Sequence, residues 1–478
     1  MSIDTNLPTT ETSNETLSVR SQTAVLDELR ARIAGDVFGP DDDGYDAARS
    51  GFNLLAQHRP AVIAVPVNHF DVVETVRFAA GEDLRVAVQA TGHGPGTAVD
   101  GALLINTSRL DAVSVDPVRR TATVAAGVKW GPVLAAASAH GLAPLLGSST
   151  DVGAVGYTLG GGFGWLGRRH GLASDAVRSF DLVTPAGDPL RVSATTHPEI
   201  FWALKGGGAG SLGVVTGMEI DLFEVGIVYA GNLFYPAADA PEVLRRFRQW
   251  APAQSEELSS AVTMMNFPPL DIVPEPLRGQ SYVMLRGCWS GDPDAGKEII
   301  DEWRRWKQPE IDMWGELPFA AADAISMDPT DPMPAMVTTE WMNEIADGAI
   351  DVLTSAVYPE PGTMPLILFG EIRHAGGAIT ANAAGAANDR GRSGEFLVEL
   401  GAVVPDPHVG LAIESALQLA RRDLEPYVTG AAYLNFTEME ERSARSASAF
   451  SDDHRRRLAA LKAKLDPRNR FCYGVVLS

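Results

Sequence analysis

The sequence predicts an α+β protein of more than one domain, and three observations carry that reading. Strand-like and helix-like runs are interleaved from about residue 60 to 223, strand runs alternate with longer helical ones from about 226 to 430, and glycines gather in dense clusters. At 478 residues the chain exceeds what one hydrophobic core serves.

The first 22 residues are polar. They lack both an early basic cluster and an apolar stretch, and read as a disordered arm rather than a signal peptide. In "TAVLDELRARIAG", Val25, Leu26, Leu29 and Ile33 fall at helical spacing, with Gly35 as the stop. "PAVIAVPVN" reads as a strand, "HFDVVETVRFAAGEDL" as a helix with Val72, Val73, Val76 and Ala79 on one face, and "RVAVQAT" as the next strand. "ALLINTSRL" and "AVSVDPVRRTATVAAG" alternate with period two around Asp116-Pro117, a hairpin signature. "KWGPVLAAASAHG" is a helix closed by Gly141, and "SFDLVTPAGDPLRVSA" repeats the hairpin logic.

Farther on, "GIVYAGNLFY", "AVTMMNF", "SYVMLRGCWS" and "PLILFGEIRH" are strand-like, while "PEVLRRFRQWA", "DAGKEIIDEWRRW" and "GLAIESALQLARRDLEPY" are helical. An antiparallel sheet with helices on one face accounts for this stretch. The tail "DDHRRRLAALKAKLDPRNRF" is a basic amphipathic helix ended by Asp466-Pro467.

Composition removes several function classes. Net charge is −22, and Lys and Arg are scattered, which argues against nucleic acid or anionic membrane as partner. Two cysteines, Cys288 and Cys472, leave no disulfide framework or multi-thiolate metal site. No apolar run approaches the ~18 residues of a membrane helix, so the expected setting is cytoplasmic.

Gly162–Gly167 and Gly208–Gly213 each match G-x-G-x-x-G, but the first follows no strand run and the second leads into a strand, which argues against a dinucleotide fold of the Rossmann type. The nucleophile elbow fails because Ala209 stands where its first glycine belongs. No His, Asp and Glu cluster has metal-ligand spacing, so no metal is expected. What remains are glycine clusters at 92–96, 153–164, 206–213 and 376–377, where backbone N–H groups can approach a large phosphorylated ligand closely.

Taken in order, "VQATGHGPG", "GSSTDVGAVGYTLGGGFGWLGRRHGLASD", "HPEIFWALKGGGAGSLGVVTGMEIDLF", "YLNF" and "LKAKLDPRNRF" resemble the flavoprotein oxidases of the vanillyl-alcohol oxidase fold, in the berberine-bridge-enzyme-like branch. The likeness runs from Pro60 to Phe471. It implies a two-subdomain FAD-binding domain of the PCMH type over 23–225, a substrate domain over 226–430 with an antiparallel sheet covered by helices, and a C-terminal return to the FAD domain over 431–478.

It further implies FAD bonded through the imidazole of His93. Cofactor contacts are implied at Gln89, Ala90, Thr91, Gly92, Gly94, Pro95, Ser148, Ser149, Val152, Gly153, Gly156, Gly161, Gly213, Val215 and Asn435. Ser149 stands where bicovalent members carry a second flavin-linking cysteine, so a single link is implied. Gln89, Ala90 and Thr91 replace an Arg-Ser-Gly that often precedes the glycine–histidine pair. The implied reaction is hydride transfer from a small organic substrate (alcohol, sugar, amine or secondary metabolite) to FAD, with a base taking a proton. A small Val152 favours dioxygen as acceptor, with hydrogen peroxide as product; a dehydrogenase or oxidative cyclase is the alternative, and a non-catalytic flavin-binding scaffold a more distant one. Phe436 occupies the position of the usual tyrosine base, which leaves Tyr433, Glu371 and His374 as candidates. Substrate identity and oligomeric state are not legible.

Overall fold

The structure is a computed structural model that describes residues 22–360 and 362–477; the polar segment read as an arm lies outside the described residues save for Gln22. The first helix, Gln22–Arg32, packs Val25, Leu26 and Leu29 against the helix His69–Gly81. The latter is capped by Asn68, whose side chain accepts from the Asp71 N–H at 3.0 Å.

Three sheets organise the chain. The first orders Asp36–Phe38, Val62–Val65, Leu103–Asn106 and Val86–Gln89, with the last three parallel. Here the structure corrects the sequence reading: "LLIN" pairs in this parallel sheet and takes no part in a hairpin. It is buried on both faces, so it reads as a continuous apolar run. The hairpin at Asp116 forms from Val113–Asp116 and Thr121–Ala125, its turn closed by the Asp116 carboxylate accepting from the Val118 and Arg119 N–H groups.

Those two strands belong to a second sheet, fully antiparallel, continued by Val214–Asp221, Val177–Val183 and Pro189–Ser193. The helix Trp130–Ser138 covers it, and Gly141 follows two residues beyond the C-cap, Ala139. "GRRH" makes a single helical turn, Gly167–His170.

The third sheet has eight strands, all antiparallel. Ile227–Pro236, Ser281–Trp289, Leu258–Asn266, Phe369–His374, Phe396–Val403 and Ala335–Met342 form its body. Its two faces differ. Leu233, Val262, Met264, Val283, Leu285, Ile372, Val398 and Leu400 pack under the helices Ala240–Trp250, Pro293–Trp306, Asp347–Val357 and Pro407–Leu424. Because side chains alternate along a strand, their neighbours face the glycine-rich half of the molecule.

The C-terminal segment ties back to the glycine-rich half. After the helix Asp452–Leu465, Lys462 Nζ donates to the carbonyls of Ser211 and Phe471 at 2.8 and 2.9 Å, and the Val475 N–H donates to Ala209 O at 3.0 Å. A second tie is Arg392, fully buried, which donates through Nη1 and Nη2 to the Asp175 carboxylate and through Nε to Ile379 O at 2.8 Å. Among the described residues no helix is long and apolar enough to cross a membrane.

Replacing Arg392 with Met strands Asp175 without its buried partner. We expect a loss of about 3–5 kcal/mol in urea unfolding. A change under 1 kcal/mol, well below that range, would show the pair to be dispensable.

Candidate functional site

The histidine loop follows the strand Val86–Gln89. Gly92 has φ +69°, and a Cβ there would sit 2.6 Å from Gly51 Cα, so only glycine lets segment 51–53 run alongside. That segment pairs through Phe52 N–H to Thr91 O at 2.8 Å and Asn53 N–H to Gly92 O at 3.2 Å. It lays the Phe52 ring flat on the His93 imidazole, with centroids 3.9 Å apart and planes 10° from parallel. His93 Nδ1 lies 2.9 Å from Thr91 Oγ1, while Nε2 is buried without a hydrogen-bond partner. The nearest charge to Nε2 is the Asp151 carboxylate at 3.8 Å, itself held by Lys129 Nζ at 2.5 Å. Burial lowers the His93 pKa to about 4, against the opposing pull of Asp151, so the ring is neutral at ordinary pH.

The long glycine motif passes beside this loop. Gly153 precedes the helix Ala154–Leu159, and its N–H donates to Thr91 Oγ1 at 3.4 Å. Ser149 Oγ accepts from the Asp151 N–H at 3.2 Å, and Ser148 Oγ donates to Asp328 at 2.6 Å. Val152 is half-buried, its carbonyl bound by the Trp130 N–H. Gly161 (φ +121°) and Gly213 (φ +130°) both adopt backbone that side chains avoid. Val215 is buried in the antiparallel sheet opposite Leu182, and Gly156 faces open space.

Against these loops the third sheet turns a polar face. Thr263, Glu371, Glu399 and Thr339 lie directly opposite one another on four successive strands. Two carboxylates in register would repel, and three groups bind Glu371: Thr263 Oγ1 at 2.6 Å, Arg286 Nη1 at 3.2 Å and Arg373 Nε at 2.5 Å. Burial alone would raise its pKa, but the two guanidiniums and the hydroxyl hold it below the ordinary value. Glu399 has only Arg373 Nη2, at 3.4 Å. Burial, with Glu371 adding repulsion, lifts its pKa to about 7.

The segment 433–438 joins the face to the loops. The Arg373 guanidinium sits 4.9 Å from the centre of the Phe436 ring. Glu438, half-buried, accepts from Asn53 Nδ2 at 3.0 Å, and desolvation raises its pKa to about 8 although Arg442 and Asn53 oppose this.

Several sequence expectations change here. Residues Leu434–Phe436 form a short 3-10 turn, which brings the Tyr433 and Phe436 rings into contact, 5.2 Å apart. The Tyr433 hydroxyl accepts from the Phe163 N–H at 2.7 Å, and burial raises its pKa far above the usual range. That commits it to holding the glycine motif. Asn435 is committed likewise: Oδ1 accepts from the Gly162 N–H at 3.2 Å and Nδ2 donates to Tyr157 O at 2.9 Å. His374 stacks on Phe396 and pairs with Glu395 at 2.8 Å, away from the Glu371 face. Gln89 reaches Ser50 O at 3.1 Å; Ala90 packs by Gly153; the backbone of Gly94 lies beside Arg442, and Pro95 O accepts from the Met439 N–H.

Glu399, Glu438 and Arg286 escaped the sequence reading. For two of them a signal existed: Glu399 in "FLVELGAV" and Arg286 in "SYVMLRGCW" are single charges inside otherwise apolar strands.

The chemistry of these groups fits FAD. His93 offers an unpartnered ring nitrogen on a glycine loop, and Tyr157 Oη and both polar atoms of Asn388 are buried without partners beside Gly160–Gly162 and Gly206. Backbone approachable at Gly92, Gly161 and Gly213 suits a flat, phosphorylated ligand.

Comparison with known proteins agrees. Residues 60–193 match the FAD binding domain family. The chain is 34% identical over 226 residues to (R)-6-hydroxynicotine oxidase of Paenarthrobacter nicotinovorans, covering 47% of this chain and 46% of that protein. It is 26% identical over 456 residues to an FAD-linked oxidoreductase of Dictyostelium discoideum, covering 94% and 96%. The match thus spans about half of the first relative and nearly all of the second. Among solved structures, 6-hydroxy-D-nicotine oxidase from Arthrobacter nicotinovorans superposes with a TM-score of 0.78 at 23% identity, over 93% of this chain and 98% of that one. Physcomitrella patens BBE-like 1 superposes with a TM-score of 0.81 at 20% identity, over 95% and 99%. Residues 60–193 thus match the FAD binding domain family, in a chain that has the fold of these two proteins and is similar over nearly its whole length to an FAD-linked oxidoreductase.

Proposed function

We propose that the protein is an oxidase that takes a hydride from a C–H bond of a small alcohol, sugar, amine or secondary metabolite, with FAD held covalently through His93 and dioxygen reduced to hydrogen peroxide. The observation that carries this reading is the buried polar ladder Thr263–Glu371–Glu399–Thr339, whose Arg373 rests on Phe436 in the segment that reaches Asn53 beside the His93 loop. Bound FAD supplies the hydride acceptor and delivers the electrons to dioxygen.

The chain's own residues supply the rest. Phe436 cannot take a proton, Tyr433 is tied to Phe163, and Glu371 is saturated by three donors. Glu399 remains: one long hydrogen bond and a proton affinity near neutrality suit it to accept the substrate's O–H or N–H proton. Arg373 positions Glu399 and is itself fixed by Glu371. The full list of cofactor contacts given above belongs to the same reading, with Val152 beside the oxygen-reacting edge. The likeness to (R)-6-hydroxynicotine oxidase favours an amine among the substrate classes. Both cysteines are free, which suits a reducing cytoplasmic compartment.

A panel of alcohols, sugars, amines and phenols scored by peroxide release tests the activity; silence across all four, with flavin bound, would refute the oxidase reading. With the responsive substrate, Glu399→Gln should lower kcat by about 10²–10⁴-fold, the span of general-base contributions. In the parent enzyme kcat/KM should climb as pH rises through about 7, as Glu399 loses its proton.

Stability should move oppositely. Glu399 and Glu438 have folded pKa values of about 7 and about 8, above the 4.5 of an unfolded glutamate, so the native state binds more protons between pH 4.5 and 8. Unfolding free energy from these groups is therefore full below pH 4.5 and lost as pH rises through 7 and 8. Glu438→Gln should flatten that decline in denaturant titrations at pH 5 and 9; an unaltered slope would contradict the assignment.

A further inference from the structure

We propose that Asp328 is the carboxylate that receives a cationic group of the substrate, so that the site takes organic ammonium compounds in preference to neutral or anionic molecules of the same shape. This rests on the oxidase reading above and fixes the charge of the substrate, which that reading leaves open.

Asp328 lies on a segment, 327–334, that joins the short helix Asp323–Ser326 to the strand Ala335–Met342 of the third sheet and turns at Met327, where φ is +53°. Both ends of the segment are fastened to the glycine-rich half. Asp328 accepts from Ser148 Oγ at 2.6 Å, at the start of the long glycine motif. The Met333 N–H donates to Phe52 O at 2.9 Å, and Met333 O accepts from the Leu54 N–H at 3.0 Å, beside the ring that stacks on His93. The segment therefore runs from the glycine motif to the histidine loop and brings one carboxylate with it.

The acids gathered there outnumber the cations. Arg373 is divided between Glu371 and Glu399, and Arg286 is bound to Glu371. The charge of Asp328 reaches both Arg373 and Glu399 and pushes the pKa of each upward. Two guanidiniums thus serve three carboxylates, and once Glu399 is ionised one negative charge stands unbalanced. Among the described residues no Lys, Arg or His comes within 4 Å of the Asp328 carboxylate, which is half-buried and still open to a ligand. A partly desolvated carboxylate with a hydroxyl as its partner gains most from a mobile cation.

Unsatisfied hydroxyls point to a ligand independently of charge. Ser259, 3% exposed, leaves Oγ without a partner and opens on a small cavity shared with Ser148 and Arg373. Thr339, 2% exposed, likewise leaves Oγ1 unpartnered, opposite Glu399 on the ladder. Both oxygens can accept from a substrate N–H. Trp165 Nε1, on the same cavity as Ser259, is unpartnered too and donates to a substrate oxygen or a water.

Tetramethylammonium, tert-butanol and trimethylacetate are similar in shape, differ in charge, and have no hydride to give. Each is titrated into the flavin-loaded protein, and binding is read from the visible spectrum of the flavin. Tetramethylammonium should bind about tenfold or more tightly than tert-butanol, with trimethylacetate weakest. Asp328→Asn keeps an acceptor for the Ser148 hydroxyl and removes only the charge. It should weaken tetramethylammonium about tenfold and leave tert-butanol within about twofold. A residue that merely held the segment in place would shift all three probes together. Equal affinities for the cation and the alcohol, no spectral response to the cation, or a cation preference kept in Asp328→Asn overturns the inference. None of these outcomes touches peroxide release, whose absence strikes the oxidase reading and not the charge preference.

Discussion

The site is organised around one half-buried cation. Arg373 lies between two carboxylates that strand register forces into opposition, Glu371 at 2.5 Å and Glu399 at 3.4 Å, and its guanidinium rests on the ring of Phe436. Two acids side by side in an interior would not both ionise without it. The arginine divides them unequally. Glu371, gripped also by Arg286 and Thr263, is held ionised, whereas Glu399 is left close to neutrality. One sheet face thereby presents a fixed anion and a proton acceptor side by side.

That arrangement depends on a sheet buried on both sides. Its apolar face packs under four helices, and the alternation of side chains then leaves the opposite face to the glycine loops. A polar face in such a place costs desolvation, which is tolerable only where each group finds a partner. Most do. Among the described residues, Thr339 Oγ1 and Ser259 Oγ on this sheet, and Tyr157 Oη and Asn388 beside the glycine loops, are buried without such a partner.

Segment 433–438 transmits the geometry. Tyr433 and Asn435 hold the glycine motif by its backbone at Phe163, Gly162 and Tyr157, while Glu438 holds Asn53 and so the segment that carries Phe52 onto His93. Residues that resemble a catalytic signature in sequence thus serve here to join two halves of a site. The proton-accepting role proposed above belongs to Glu399, on a strand more than thirty residues earlier.

Much of this was legible without coordinates. Apolar periodicity placed the helix His69–Gly81 and the strands Val86–Gln89, Ile227–Pro236 and Phe369–His374, because those patterns are local consequences of burial. The glycine–histidine loop was legible because Gly92 must adopt a positive φ and leave no Cβ in the path of Gly51. Pairing partners were not, since "LLIN" is equally apolar in a hairpin or a parallel sheet. Nor could the sequence rank Glu371, Glu399 and Tyr433 as proton acceptors. That ranking is set by how many donors reach each oxygen across strands and loops up to 270 positions apart, and only the folded chain decides it.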